Sequence, residues 1–147
     1  MANPISKNMH NELIKDLGEK ELIKRIAKFM PEGQTSDDCA LLKTVTNKLL
    51  INTDLLVEHT HFTNETISAL DLGWKSITSN LSDLMSSGCD EVLGVKIGLV
   101  LTPETEWSWV KNLYQGINQA LVKFGGLIIG GDCSRGVEKT IAITAFG

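Results

Sequence analysis

Two stretches of this 147-residue chain repeat apolar residues at the three- and four-residue steps of a helix, with short apolar runs between and after them. In residues 67–87 the stripe is Leu70, Trp74, Ile77, Leu81 and Leu84, and Gly88 suits the C-terminal cap. In the second, Trp107, Val110, Tyr114, Ile117, Leu121 and Phe124 form a face expected to be buried. TPETEW opens it, with Thr102 as the expected cap and Pro103 in the first turn. An earlier helical pattern, Ile14, Leu17, Leu22, Ile23, Ile26 and Phe29, ends at Pro31.

The runs between are of strand length: CALLK and NKLLINTD as a hairpin-like pair, EVLGVKIGLVL, GLIIGGD leading into a glycine turn, and KTIAITAF. LLVEHTHFTNET reads as a loop carrying two histidines. Helix, strand, strand, helix, strand, helix, strand, strand is the order of an α/β (α+β) domain: one mixed sheet of about four to five strands with helices packed on it. Residues 1–10 read as a flexible N-terminus and 11–147 as one domain. The sequence stops at Gly147 straight after an apolar strand, which is expected of the front part of a longer protein.

A formal net charge of −4 argues against a nucleic-acid binder, whose affinity would come from a basic surface. No apolar run reaches the ~20 residues of a spanning helix, and no polybasic membrane patch is present. Cys39, Cys89 and Cys133 stand far apart with no C-x-x-C pair, as reduced thiols of a cytoplasmic protein would.

Five aspartates stand at expected turns and element ends with few basic residues beside them: Asp37, Asp38, Asp54, Asp83 and Asp132. Carboxylates placed so point to a hard divalent cation serving phosphate. Around Asp83 the polar residues are all short: Ser76, Ser79, Asn80, Ser86 and Ser87. Short side chains admit a ligand, but they equally hold a buried carboxylate or let helices pack. Asp54 is expected to end a strand, where α/β proteins gather ligands, though a turn or cap role fits its residue type better. Asp37 and Asp38 share that ordinary turn chemistry. The glycines before Asp132 would let the backbone approach a phosphate, yet most such turns are only turns. His59 and His61 lack a third ligand nearby in sequence, which disfavours zinc. Neither a P-loop motif nor a G-x-S-x-G nucleophile motif occurs.

The motifs SDDCALL, INTDLLVEHTHF, DLGWKSITSNLSDLMSSG, LTPE and IIGGDCSRG, in this order and spacing, resemble the thiamine-monophosphate kinase family within the group related to aminoimidazole ribonucleotide (AIR) synthetase. The resemblance runs from about residue 17 to 147. It implies an AIR synthase-like N-terminal domain that dimerises through its strands. It also implies ATP-dependent phosphorylation of thiamine monophosphate to thiamine diphosphate with several Mg²⁺ ions. Carried over by motif, Asp38, Thr53, Asp54, Asp83 and Asp132 would hold metal. His61 would face the thiamine phosphate, and Gly131, Asp132 and Tyr114 the nucleotide. No general base is assigned, because phosphoryl transfer needs alignment and charge neutralisation more than a covalent nucleophile. Three positions depart from the pattern: Gln34-Thr35-Ser36 replaces a glycine-flanked lead-in to Asp37-Asp38, His59 stands at a usual glycine, and Cys133 follows GGD. The family continues into a second domain, so this chain alone is expected to have little or no kinase activity. Another ATP-using member of the superfamily, or a non-catalytic dimerisation or metal-binding module, are the competing expectations.

Overall fold

The computed structural model describes residue 24, the backbone of 40–43, and residues 48–147. The chain divides into the units Met1–Ser36 and Asp37–Gly147, and every element below belongs to the second. His10, Asp37, Asp38, Cys39 and the apolar positions of the helical pattern, Ile14, Leu17, Leu22, Ile23, Ile26 and Phe29, lie outside the described residues.

From residue 40 on, the described residues form five strands and two helices in the order β1 (Ala40–Lys43), β2 (Lys48–Val57), α1 (Ala69–Ser86), β3 (Gly94–Leu101), α2 (Trp107–Phe124), β4 (Ile128–Arg135) and β5 (Thr140–Phe146). They form one mixed sheet with strand order β1-β2-β5-β3-β4. β5 lies antiparallel to both β2 and β3, whereas β4 runs parallel to β3, with α2 as the crossover. The α+β architecture matches the expectation from sequence. Of the hairpin-like pair, β1 is an outer strand of the sheet, opposite β4, whereas β2 is an inner one.

Among the described residues, helices cover one face of the sheet and none lies on the other. Ile141, Ile143 and Ala145 of β5 and Val95, Ile97 and Leu99 of β3 are buried against the helices with Leu72, Ile77, Leu84, Leu113 and Ile117. Strand alternation puts Thr53, Leu55, Lys96, Ala142 and Thr144 on the opposite face. Two glycines let the helices meet backbone to backbone. A Cβ on Gly73 would lie 2.0 Å from the Leu113 carbonyl, and one on Gly116 would lie 1.8 Å from that of Leu70.

α1 begins at Ala69, two residues after the expected start at 67, with Ser68 as its N-cap. The Ser68 hydroxyl accepts the Asp71 N–H at 3.1 Å and donates to the Asp71 carboxylate at 2.6 Å. Gly88, at φ +89°, follows the C-cap Ser87. α2 departs from expectation. Thr102 does not cap it; Thr102 and Thr105 close a turn on each other, hydroxyl to hydroxyl at 3.0 Å, and the helix starts only at Trp107 after Glu106. Trp107 is therefore the first residue of the helix, ahead of its buried stripe, and is 74% exposed instead of buried. Phe124, at the other end, is exposed as well.

Candidate functional site

Three separate groups of candidate residues emerge, one on the covered face at β2, one at the β4 edge and one in the turn after β2. The first centres on Asp83 near the end of α1. Asn52 of β2 is 5% exposed. Its side-chain amide donates to the Asp83 carboxylate at 2.8 Å and to the Asn80 side-chain oxygen at 3.4 Å. Asn80 in turn donates to the Ser76 carbonyl at 2.9 Å. The short polar residues of this helix thus divide by face: Ser76 and Asn80 are buried, while Asp83 is half-buried at the margin. Asn52 escaped the sequence reading because asparagine in NTD resembles turn chemistry; only the sheet register shows that it points at α1.

Asp54 does not end a strand. β2 continues to Val57, and Asp54 pairs in register with Ile143, so alternation puts it on the covered face, two residues from Asn52. Thr53 points the other way, its hydroxyl 2.9 Å from that of Thr144. The metal candidates Thr53 and Asp54 therefore lie on opposite faces of one strand.

The second group is at β4. Gly130, Gly131 and Asp132 are not in a turn after a strand; they are inside β4. Ile129 has no partner in the register, which passes from Val95↔Ile128 to Lys96↔Gly130, a bulge. A Cβ on Gly131 would lie 2.0 Å from the Ile97 carbonyl, and Gly130 sits at φ +146°. The glycines thus serve the bulge and the close approach of β4 to β3. Asp132 pairs with Gly98 on the uncovered face, three strands from β2, or about 14 Å at ~4.8 Å per strand. Tyr114 of α2 is half-buried on the covered side. Burial, and to a lesser degree the nearby Cys133 thiol, raise its pKa above the ordinary phenol value, so its hydroxyl stays a donor at neutral pH.

The third group is the turn after β2. His59 is the one non-glycine residue at positive φ among the described residues, at +62°. His61 Nδ1 accepts the Val57 N–H at 3.0 Å. Glu58 and Lys139, each 7% exposed, form an ion pair behind the turn. Burial alone would raise the Glu58 pKa, but the hydrogen bonds and charge of Lys139 outweigh it and hold the carboxylate below its ordinary value.

The structure joins Asn52 and Asp83, and alternation puts Asp54 on the same face of β2 as Asn52. It does not join these with Thr53, Asp132, Tyr114 or His61. Among the described residues no group of three or more His, Cys, Asp or Glu side chains is close enough to hold a metal ion. The donor chemistry at Asp83 nevertheless suits Mg²⁺. It is all oxygen apart from the Asn52 amide, and Ser87, one helical turn on, has a buried hydroxyl without a hydrogen-bond partner. No helix of the described residues is long and apolar enough to cross a membrane.

The chain is 50% identical over 136 residues to the thiamine-monophosphate kinase of Prochlorococcus marinus, a stretch covering 92% of this chain and 41% of that protein. It is 34% identical over 140 residues to the kinase of the same name from Synechococcus elongatus, covering 95% and 42%. It therefore spans about two fifths of the length of the curated relatives it matches. A solved structure described as AaThiL complexed with AMPPCP and TMP superimposes with a TM-score of 0.88 at 30% identity, over 94% of this chain and 44% of that one. A hydrogenase maturation protein HypE in complex with ATP shares the fold at 18% identity, with a TM-score of 0.59 over 85% of this chain and 39% of that one. The family model for the N-terminal domain of AIR synthase related proteins matches residues 36–147, and with the sheet, the helix crossing and these relatives in agreement, the chain belongs to that family.

Proposed function

We propose that this chain is the N-terminal part of an enzyme that transfers the γ-phosphoryl group of ATP to thiamine monophosphate, giving thiamine diphosphate. The observation that carries this is the 50% identity to a thiamine-monophosphate kinase along 92% of the chain. The likeness to a ThiL structure whose description includes AMPPCP and TMP supports the same substrates.

In this proposal Asp38, Thr53, Asp54, Asp83 and Asp132 hold Mg²⁺. The ions neutralise the charge of the polyphosphate and the acceptor phosphate, which otherwise repel each other. Asn52 fixes the rotamer of Asp83 by occupying one carboxylate oxygen and leaving the other for a cation. Tyr114 stays protonated and can donate to the nucleotide beside Gly131 and Asp132. His61 presents its ring to the acceptor phosphate. The acceptor is itself a phosphate oxygen, already a nucleophile at neutral pH, so no side chain need act as general base.

The spread of these groups over both faces supports a site completed by more than one such domain: the rest of the protein, a second copy, or both. A homodimer working in the cytoplasm is part of the proposal. The decisive experiment is an ADP-release assay on the full-length gene product with thiamine monophosphate and Mg²⁺. Turnover is expected with this acceptor, and Asp83→Ala should lose about 100-fold or more. Turnover with a different acceptor, and none with thiamine monophosphate, would overturn the proposal.

A further inference from the structure

The turn that carries His61 is held from behind by groups that take no part in the site above. Glu58, its first residue, donates its backbone N–H to the Lys139 carbonyl at 2.9 Å, and a Glu58 carboxylate oxygen accepts the Lys139 N–H at 3.0 Å. The other carboxylate oxygen is paired with the Lys139 ammonium. That ammonium also lies 5.3 Å from the centre of the Trp109 ring, and the Trp109 indole N–H donates to Asn64 at 3.1 Å. Residues on both flanks of the turn are thus tied to Lys139, just ahead of β5, and to α2.

The turn closes on itself through His59 N–H to the Phe62 carbonyl at 2.8 Å and His61 N–H to the Val57 carbonyl at 2.8 Å. The Val57 N–H donates to His61 Nδ1 at 3.0 Å. A nitrogen that accepts a hydrogen bond carries no proton, so the neutral ring holds its proton on Nε2. The side chain is exposed, and Nε2–H is its remaining donor.

We infer that the buried Glu58–Lys139 pair, closed over by Trp109, is a positioning device that holds the 57–62 turn so that His61 is fixed as the Nε2–H tautomer, ready to donate to an anionic oxygen. A buried ion pair is a costly way to gain stability alone, and fixing one geometry is the better-attested use of such a pair. The oxygen is that of the acceptor phosphate, a step that rests on the function proposed above; the tautomer and its dependence on Glu58 and Lys139 do not.

Long-range ¹H–¹⁵N correlation spectra of the full chain, at a pH where imidazole is neutral, read the tautomer directly. Wild type should show His61 with Nδ1 bare and Nε2 protonated. Lys139→Arg, which keeps the charge and can stack on Trp109, should keep that signature. Lys139→Met combined with Glu58→Gln removes both charges and leaves neither unpaired. It should shift His61 to the tautomer mixture of a free imidazole, while the methyl resonances of Ile141 and Ile143 report an intact core. A mixture in wild type, or an unmoved His61 signature in the double variant with its core intact, would overturn the inference. Should the double variant fail to fold, Glu58→Gln alone is read by the same two criteria. Thiamine monophosphate added with Mg²⁺ to the full-length gene product decides the other part separately: an unmoved Nε2 signal there would count against the proposed substrate and leave the tautomer result standing.

Discussion

His59 is held at φ +62°, a region that costs a β-carbon-bearing residue about 1–2 kcal/mol and glycine almost nothing. Glycine's larger freedom in the unfolded chain offsets part of that. We therefore expect His59→Gly to stabilise the domain by about 0.5–1 kcal/mol in urea unfolding. One residue earlier, the depressed pKa of Glu58 gives a pH dependence of definite sign. The carboxylate is more acidic in the folded state, so its contribution is complete above the unfolded pKa and disappears as pH falls through the folded value. The melting-temperature gap between wild type and Glu58→Gln should be widest near neutrality and close in acid; a gap constant down to strong acid would contradict the pairing. At this scale the sequence displayed chemical types but not directions. The carboxylates were visible as candidates. That Asp54 and Thr53 point to opposite faces, and that Asn52 grips Asp83, depends on β2 running on to Val57, and LLV before a polar turn reads as loop as easily as strand.

The two helices cross where Gly73 and Gly116 remove the Cβ atoms, and the contact is with backbone carbonyls that cannot move aside as side chains do. Gly116→Ala should force the helices apart and destabilise by about 3 kcal/mol, at the upper end of overpacking costs, although alanine is the better helix former. A loss below 0.5 kcal/mol in urea unfolding would mean that the crossing is looser than described. Helix periodicity was legible because two apolar stripes of 18-residue helices carry a strong signal. Helix starts were less so. Thr-Pro-Glu-Thr has the residue types of a cap, but its two threonines satisfy each other and the cap falls at Glu106. β4 was half legible for a similar reason. Gly-Gly-Asp has turn chemistry, and nothing local announces that Gly131 is needed for the approach of Ile97 of a neighbouring strand.

The whole domain presents one sheet with unequal faces. Helices α1 and α2 cover one; on the other, Leu55 is exposed and Val57, Val100, Ala142 and Phe146 are half-exposed, interleaved with Thr53, Thr144 and Lys96. No helix of the described residues lies there. A partly apolar face of this breadth is suited to a partner surface. Among the described residues no strand pairs with the outer sides of the sheet's edges, β1 and β4. A second copy meets both needs with an isologous contact, in which Leu55 of each chain would stand near the centre. Light scattering should then give twice the chain mass, falling to the chain mass in Leu55→Glu, because a carboxylate buried at such a centre without a counter-charge costs several kcal/mol. The same substitution, if the chain were monomeric, would expose a charge in place of an apolar side chain and leave mass and stability nearly unchanged. The two cases therefore separate on one variant, and a wild-type chain that stays monomeric at high concentration would remove the dimer from the proposal.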